Sequence, residues 1–354
     1  ADGKRGVAAM PVAMILLPSL ATGYTLAGYA FSTSAGTDWA TMDVQLAEMN
    51  TKAKYGADGS SAADADPDWP GAQAAFEAVA PSANASLASL LPTEGSSVEE
   101  AMTTSYWGSS TSGESFVYAA LAGDNDFAGW GNKARRELLT KGSAYQVVRQ
   151  HVLHRLNEGV RKCVLDPSGG GAAAAGVYDW EAAYALHAGS LEGTDGSGKG
   201  ASVYALGDKR CPQFGTCVPG TLIAGNNDVA LKQWRAGVLA LGSGDCAGAR
   251  TAHSRIVSAL TVPLVQGMLR EAYEVDPAIH QSVGGADGLV EVAEGWAFTA
   301  AILPQLSQCN ASAGALIHTN TFLNAQPTPM WSGFSTVKMV AESLYPCLGI
   351  TCAE

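Results

Sequence analysis

Apolar residues recur at helical spacing along most of this chain. Val147, Val148, Val152, Leu153, Leu156 and Val160 form one broad stripe that includes His151. Ile256, Leu260, Leu264, Met268 and Ala272 form another. Spacings of three and four residues predict amphipathic helices with one face turned to a core. Gly, Ser, Asp and Pro gather at 56–71, 107–113, 166–176, 192–201 and 242–249, which predicts loops there. Within them, GGGAAAAG (169–176) reads as a flexible connector. No sustained apolar/polar alternation marks a strand. The pattern predicts an all-α fold, a helical bundle with long Gly-rich loops.

The helical pattern also repeats. One copy starts near 127, passes through 143–165 and ends at 179–191; the other starts near 230, passes through 252–275 and ends at 291–306. His154 and Gln266 hold equivalent points, with Glu181 27 residues after the first and Glu294 28 after the second. This predicts one unit over 1–354 built of two quasi-repeats, about 1–200 and about 201–354, packed pseudo-symmetrically.

Composition narrows the function classes. With 47% apolar and 15% charged residues, the chain is ordered and globular rather than disordered. Its 21 Lys+Arg against 33 Asp+Glu give a net charge of −12, and no basic cluster stands out, which argues against nucleic acid. The apolar run from Val7 to Tyr24 follows Lys4 and Arg5 like a secretory leader, but Pro11 and Pro18 interrupt it. It reads as a buried, proline-punctuated helix whose uninterrupted pieces are too short to span a membrane. Seven cysteines predict three disulfides and one remaining thiol. Cys211–Cys217 and Cys347–Cys352 are the expected short-loop pairs, with Cys163, Cys246 and Cys309 unassigned. Asn84-Ala-Ser and Asn310-Ala-Ser are glycosylation acceptors. Together these features predict a secreted protein of the periplasmic space or cell wall.

Candidate chemistry lies on the helices. His151, His154 and Glu158 share one helix face. Glu291 and Glu294 form an ExxE pair in an apolar segment, and Glu181 stands in a similar setting with Tyr184 and His187 downstream. A carboxylate is expensive to bury unless it is paired or bound to a cation. Carboxylate, phenolate and imidazole suit iron, ferric rather than ferrous. Duplication would bring Glu181 and Glu294 together near a pseudo-twofold axis, with Glu291, His154 and His187 as further ligands and Glu158 and Tyr184 behind them. The competing reading makes these carboxylates structural, in ion pairs with Arg255 or Arg270 or at helix N-termini. No GxSxG, Walker, HExxH or CxxCH motif occurs, and nothing assembles a nucleophile with its base, so the residues do not predict an enzyme.

The run DWEAAYALHAGSLEGTDGSGKGASVYALGDKRCPQFGTC (179–217) resembles the Fe-assimilating, low-iron- and high-CO2-inducible periplasmic proteins of green algae and their relatives in other algae. The likeness rests on the loop Gly189 to Gly198 and on Tyr204, Leu206, Asp208, Lys209, Arg210, Cys211, Phe214, Thr216 and Cys217. Glu294, Gly295, Ala297, Phe298, Ala301, Leu303 and Pro304 look like the second acidic helix of those proteins, and GFSTVKMVAESLYPCLGITCA like their C-terminus. The resemblance implies a secreted, non-catalytic protein that scavenges or donates iron, with a plasma-membrane iron transporter or oxidase as partner. Those relatives carry an Asp-Glu pair and an aromatic pair where this chain has Glu181-Ala182 and Leu186-His187, a departure that bears on site stoichiometry. Two other classes stay open: a structural or interaction glycoprotein, and a metal-dependent oxidase.

Overall fold

The computed structural model describes residues 23–55, 66–91, 97–168, 171–280, 288–325 and 328–354. Residues 1–22, where the proline-punctuated helix is expected, lie outside that description. A two-residue hairpin, β1 (Thr25–Leu26) with β2 (Tyr29–Ala30), precedes the helices. Then come α1 (Ala35–Trp39), α2 (Met42–Lys54), α3 (Trp69–Glu77), α4 (Val98–Trp107), α5 (Ser112–Ala122), α6 (Asn132–Lys141), α7 (Arg149–Leu165) and α8 (Gly171–Ala188). The chain continues through α9 (Val203–Phe214), α10 (Gly225–Gly242), α11 (Cys246–Glu274), α12 (Gly288–Cys309), α13 (Ala311–Thr321), α14 (Phe334–Ser343) and α15 (Tyr345–Leu348). The fold is all-α.

Local chemistry explains several boundaries. Ser97 and Glu100 form a reciprocal capping box at the start of α4, and the Asp245 carboxylate accepts the Gly248 amide at the start of α11. The GGGAAAAG connector is not a loop throughout. From Gly171 it is the first turns of α8, because a run of alanines is the strongest helix-forming sequence available.

Side chains from α8, α10, α11 and α12 fill the core, with Trp180, Trp234, Tyr184 and Phe298 fully buried. Trp180 and Trp234 exchange indole hydrogen bonds with each other's carbonyls, at 3.0 and 3.3 Å, locking α8 to α10. Each long helix packs on its successor, α7 on α8 and α11 on α12. The approaches to them differ. A π-helical stretch, Gly142–Val148, joins α6 to α7 as one rod, whereas α10 and α11 are separated by a turn at 243–245. Helix pairs thus recur, but the segments leading into them take different shapes.

Three disulfides staple the bundle: Cys163–Cys246, Cys211–Cys217 and Cys309–Cys347. The expected Cys347–Cys352 pair is not formed. Cys347 lies within α15, where it meets Cys309 at the end of α12, and Cys352 is an exposed thiol. Short loop closure favours a local pair only when tertiary packing offers nothing better, and here α15 delivers its cysteine to α12.

Candidate functional site

A cavity of about 440 Å³ opens where α2, the α6–α7 rod, the 189–202 loop, α9 and α12 meet. Its volume is that of a small-molecule site. Glu192, Asp208 and Glu294 face it together with Lys141, Lys199, Lys209 and Tyr145.

The loop owes its shape to two anchors and two glycines. The buried Asp43 carboxylate accepts the Leu191 amide and the Ser190 hydroxyl, both at 2.8 Å. The hairpin tip donates two amides to the Gly193 and Thr194 carbonyls. A Cβ on Gly198 would lie 1.9 Å from the Leu191 carbonyl, and one on Gly200 would lie 2.3 Å from Glu192 Oε1. Only glycine lets the loop fold back so far. Glu192 is held by this closure, accepting the Gly200 amide at 2.8 Å.

Electrostatics divide the wall in two. On the loop side, burial pushes the Glu192 carboxyl up to about 7, helped by the charges of Asp208 and Asp43 and opposed by the Gly200 amide. Asp208 is raised by the same desolvation, although the Ala224 amide and the Asn227 side chain donate to it. On the helix side, Lys141 is shared between Glu137 and Glu294, its ammonium 2.9 Å from Glu294 Oε1 in an ion pair without directed hydrogen-bond geometry. Burial alone would lower the Lys141 pKa; the two carboxylates outweigh it and hold the ammonium above its ordinary value. Behind Glu294, the fully buried Arg210 binds Glu271 at 2.9 Å and passes 3.7 Å from Glu294. Burial and the Glu294 charge push Glu271 up, against two guanidiniums that hold it down. Lys209 is lowered by desolvation and by Lys141 and Arg210, with Glu294 opposing.

Of the seven residues expected to bind metal, Glu294 alone lines this cavity. Glu291 sits partly buried one turn earlier on α12. Glu181 is fully buried elsewhere. Its carboxylate accepts five donors: the Ser32 and Thr33 amides at 2.8 Å each, their hydroxyls at 2.9 and 2.6 Å, and Tyr29 OH at 3.3 Å. Tyr184 stacks near Tyr29 and donates to the Ala27 carbonyl at 2.9 Å. His187 stacks on Trp234 at 4.9 Å, and among the described residues neither ring nitrogen has a hydrogen-bond partner. Burial drives its pKa down to about 3. His154 contacts Glu100 at 2.6 Å, and Glu158 pairs with Arg161 on the surface of α7. Among the described residues, Glu181 and Glu294 share no hydrogen-bond or ion-pair partner: Ser32 and Thr33 hold the first, Lys141 and Arg210 the second.

Among the described residues, no group of three or more His, Cys, Asp or Glu side chains is arranged to hold a metal ion. No protein-family model, curated protein or solved structure matches this chain.

Helical periodicity alone could not point to Glu192, Asp208, Lys209 or Lys141. Glu192 sits in a glycine-rich loop and Lys141 at a helix end, where periodicity is silent. The GSLEGTDGSG loop, the DKR run and the acidic second helix come together at this cavity.

Proposed function

We propose that this chain is a non-catalytic, extracytoplasmic iron-binding protein that scavenges or donates iron for uptake, with the iron entering the α2–α6–α9–α12 cavity. One observation carries this reading: Glu192, Gly198, Asp208, Lys209 and Glu294, distant in sequence and all within the stretches of algal resemblance, line one cavity. Glu192, Asp208 and Glu294 supply the hard oxygen donors that ferric iron prefers. Three disulfides fit an oxidising compartment. No helix among the described residues is long and apolar enough to cross a membrane. Iron handed on from such a protein would pass to a membrane transporter or oxidase.

A structural or interaction glycoprotein is the second reading, favoured by the ion pairs and hydrogen bonds that already occupy Glu181, His154 and Glu158, and by the exposure of Asn84 and Asn310. Calorimetric titration with ferric iron, supplied both free and chelated by a small carboxylate, separates the two. Binding that is lost in a Glu192→Gln, Glu294→Gln double variant supports the iron reading; no heat of binding to the parent protein from either form leaves the glycoprotein reading.

A further inference from the structure

The charges around the cavity suit a complex better than a bare ion. Lys199 from the loop and Lys209 from α9 both line the cavity, and neither pairs with a carboxylate among the described residues. An unpaired ammonium facing a concave site is a ready partner for an anionic group. Glu294, ion-paired with Lys141, and Glu192 from the loop line the same cavity. Lys199 and Lys209 are exposed while Glu192 is buried and Glu294 half-buried, and two further ammoniums beside Lys141 would repel a naked trivalent cation.

We propose that the cavity receives iron already chelated by a small hydroxypolycarboxylate. The ammoniums of Lys199 and Lys209 hold the chelator's carboxylates, and Glu192 or Glu294 reaches a coordination position that the chelator leaves open. This proposal rests on the iron reading above and specifies the form in which the iron arrives. It accounts for two features together. A metal that brings most of its own oxygen ligands requires only one or two from the protein, consistent with no three-residue group among the described residues. A volume of about 440 Å³ is far larger than one ion needs, and within the range that encloses a small organic ligand.

The test is equilibrium dialysis of the full chain against ferric citrate carrying radio-iron and radiocarbon labels, with citrate alone in a parallel cell. The expected result is retention of both labels in equal amounts, with citrate alone held more weakly. A Lys199→Ala, Lys209→Ala variant, both positions being exposed, should keep its circular dichroism and lose about tenfold or more in affinity, as expected when charged hydrogen bonds are removed. Lys209→Arg should retain most of it. Iron retained without citrate overturns the chelate proposal and leaves the iron reading standing. Retention of neither label overturns both. Citrate held equally well with and without iron overturns the proposal and the iron reading together, leaving a site for carboxylates.

Discussion

Replacing His187 with Phe should make the protein more stable, most of all in acid. The imidazole is 2% exposed, stacks on Trp234 with an interplanar angle of 18°, and meets Tyr184 and Tyr204 edge-on. Two buried nitrogens without hydrogen-bond partners among the described residues each cost about 1–3 kcal/mol of desolvation, so an apolar ring of similar shape should gain stability. Discounting for the larger ring in a packed core, the gain at pH 8 should be about 1–2 kcal/mol. Proton linkage adds to this. His187 titrates near its ordinary 6.5 in the unfolded chain but at about 3 in the folded one. Between those values the unfolded state binds the extra proton, so stability is fully present above about pH 6.5 and is lost as pH falls toward 3. At pH 4 the loss is (6.5 − 4) × 1.36, about 3 kcal/mol. Urea unfolding of parent and variant at pH 8 and pH 4 measures both contributions. The variant's advantage should widen by about 3 kcal/mol between the two pH values. An unchanged difference, or a variant less stable than the parent at pH 8, would refute the reasoning. Ferric iron binding should survive the substitution; its loss with the fold intact would make His187 a ligand after all.

Glu181→Gln should destabilise the fold. The amide nitrogen cannot accept from Ser32 and Thr33, so a loss of about 2–4 kcal/mol is expected, with faster hydrogen exchange at those two amides. Glu192→Gln should stabilise the protein above pH 7, because the folded carboxyl titrates near 7 and the cost of ionising it grows from about pH 4.5 to pH 7. Its ceiling is (7 − 4.5) × 1.36, reduced by solvent at the cavity mouth to about 1–2 kcal/mol, and thermal melts at pH 4.5 and 8 should show the gain only at the higher value. Non-reducing peptide mapping should find Cys309 joined to Cys347 and Cys352 alkylated without prior reduction; a Cys347–Cys352 peptide would contradict the fold at α15. Removing Cys309–Cys347 should cost about 2–4 kcal/mol in a chemical unfolding curve.

Much of the fold was legible from periodicity, because apolar spacing reports local geometry. The stripe from Val147 to Val160 and the one from Ile256 to Ala272 both lie on buried helix faces. Partner choice was not legible. Arg255 and Arg270 seemed natural partners for the acidic helices, yet Arg255 reaches Glu354 and Arg270 reaches Glu271, while Glu294 takes Lys141 and Arg210. Those pairings depend on how α6, α9 and α12 converge, a tertiary fact that no local spacing carries. The five donors around Glu181 illustrate the same limit, since they come from a segment about 150 residues away. A buried carboxylate was correctly read as needing compensation. Whether a cation or a ring of hydroxyls and amides supplied it depended on the loop after β2.

The claim that iron enters the α2–α6–α9–α12 cavity is tested most directly by anomalous diffraction. Crystals of the full chain loaded with ferric citrate would be measured on either side of the iron absorption edge. A single anomalous peak inside the cavity, within reach of Glu192, Asp208 or Glu294, is the predicted result. A peak beside Glu181 and His187, or on the α7 face of His154 and Glu158, would contradict it.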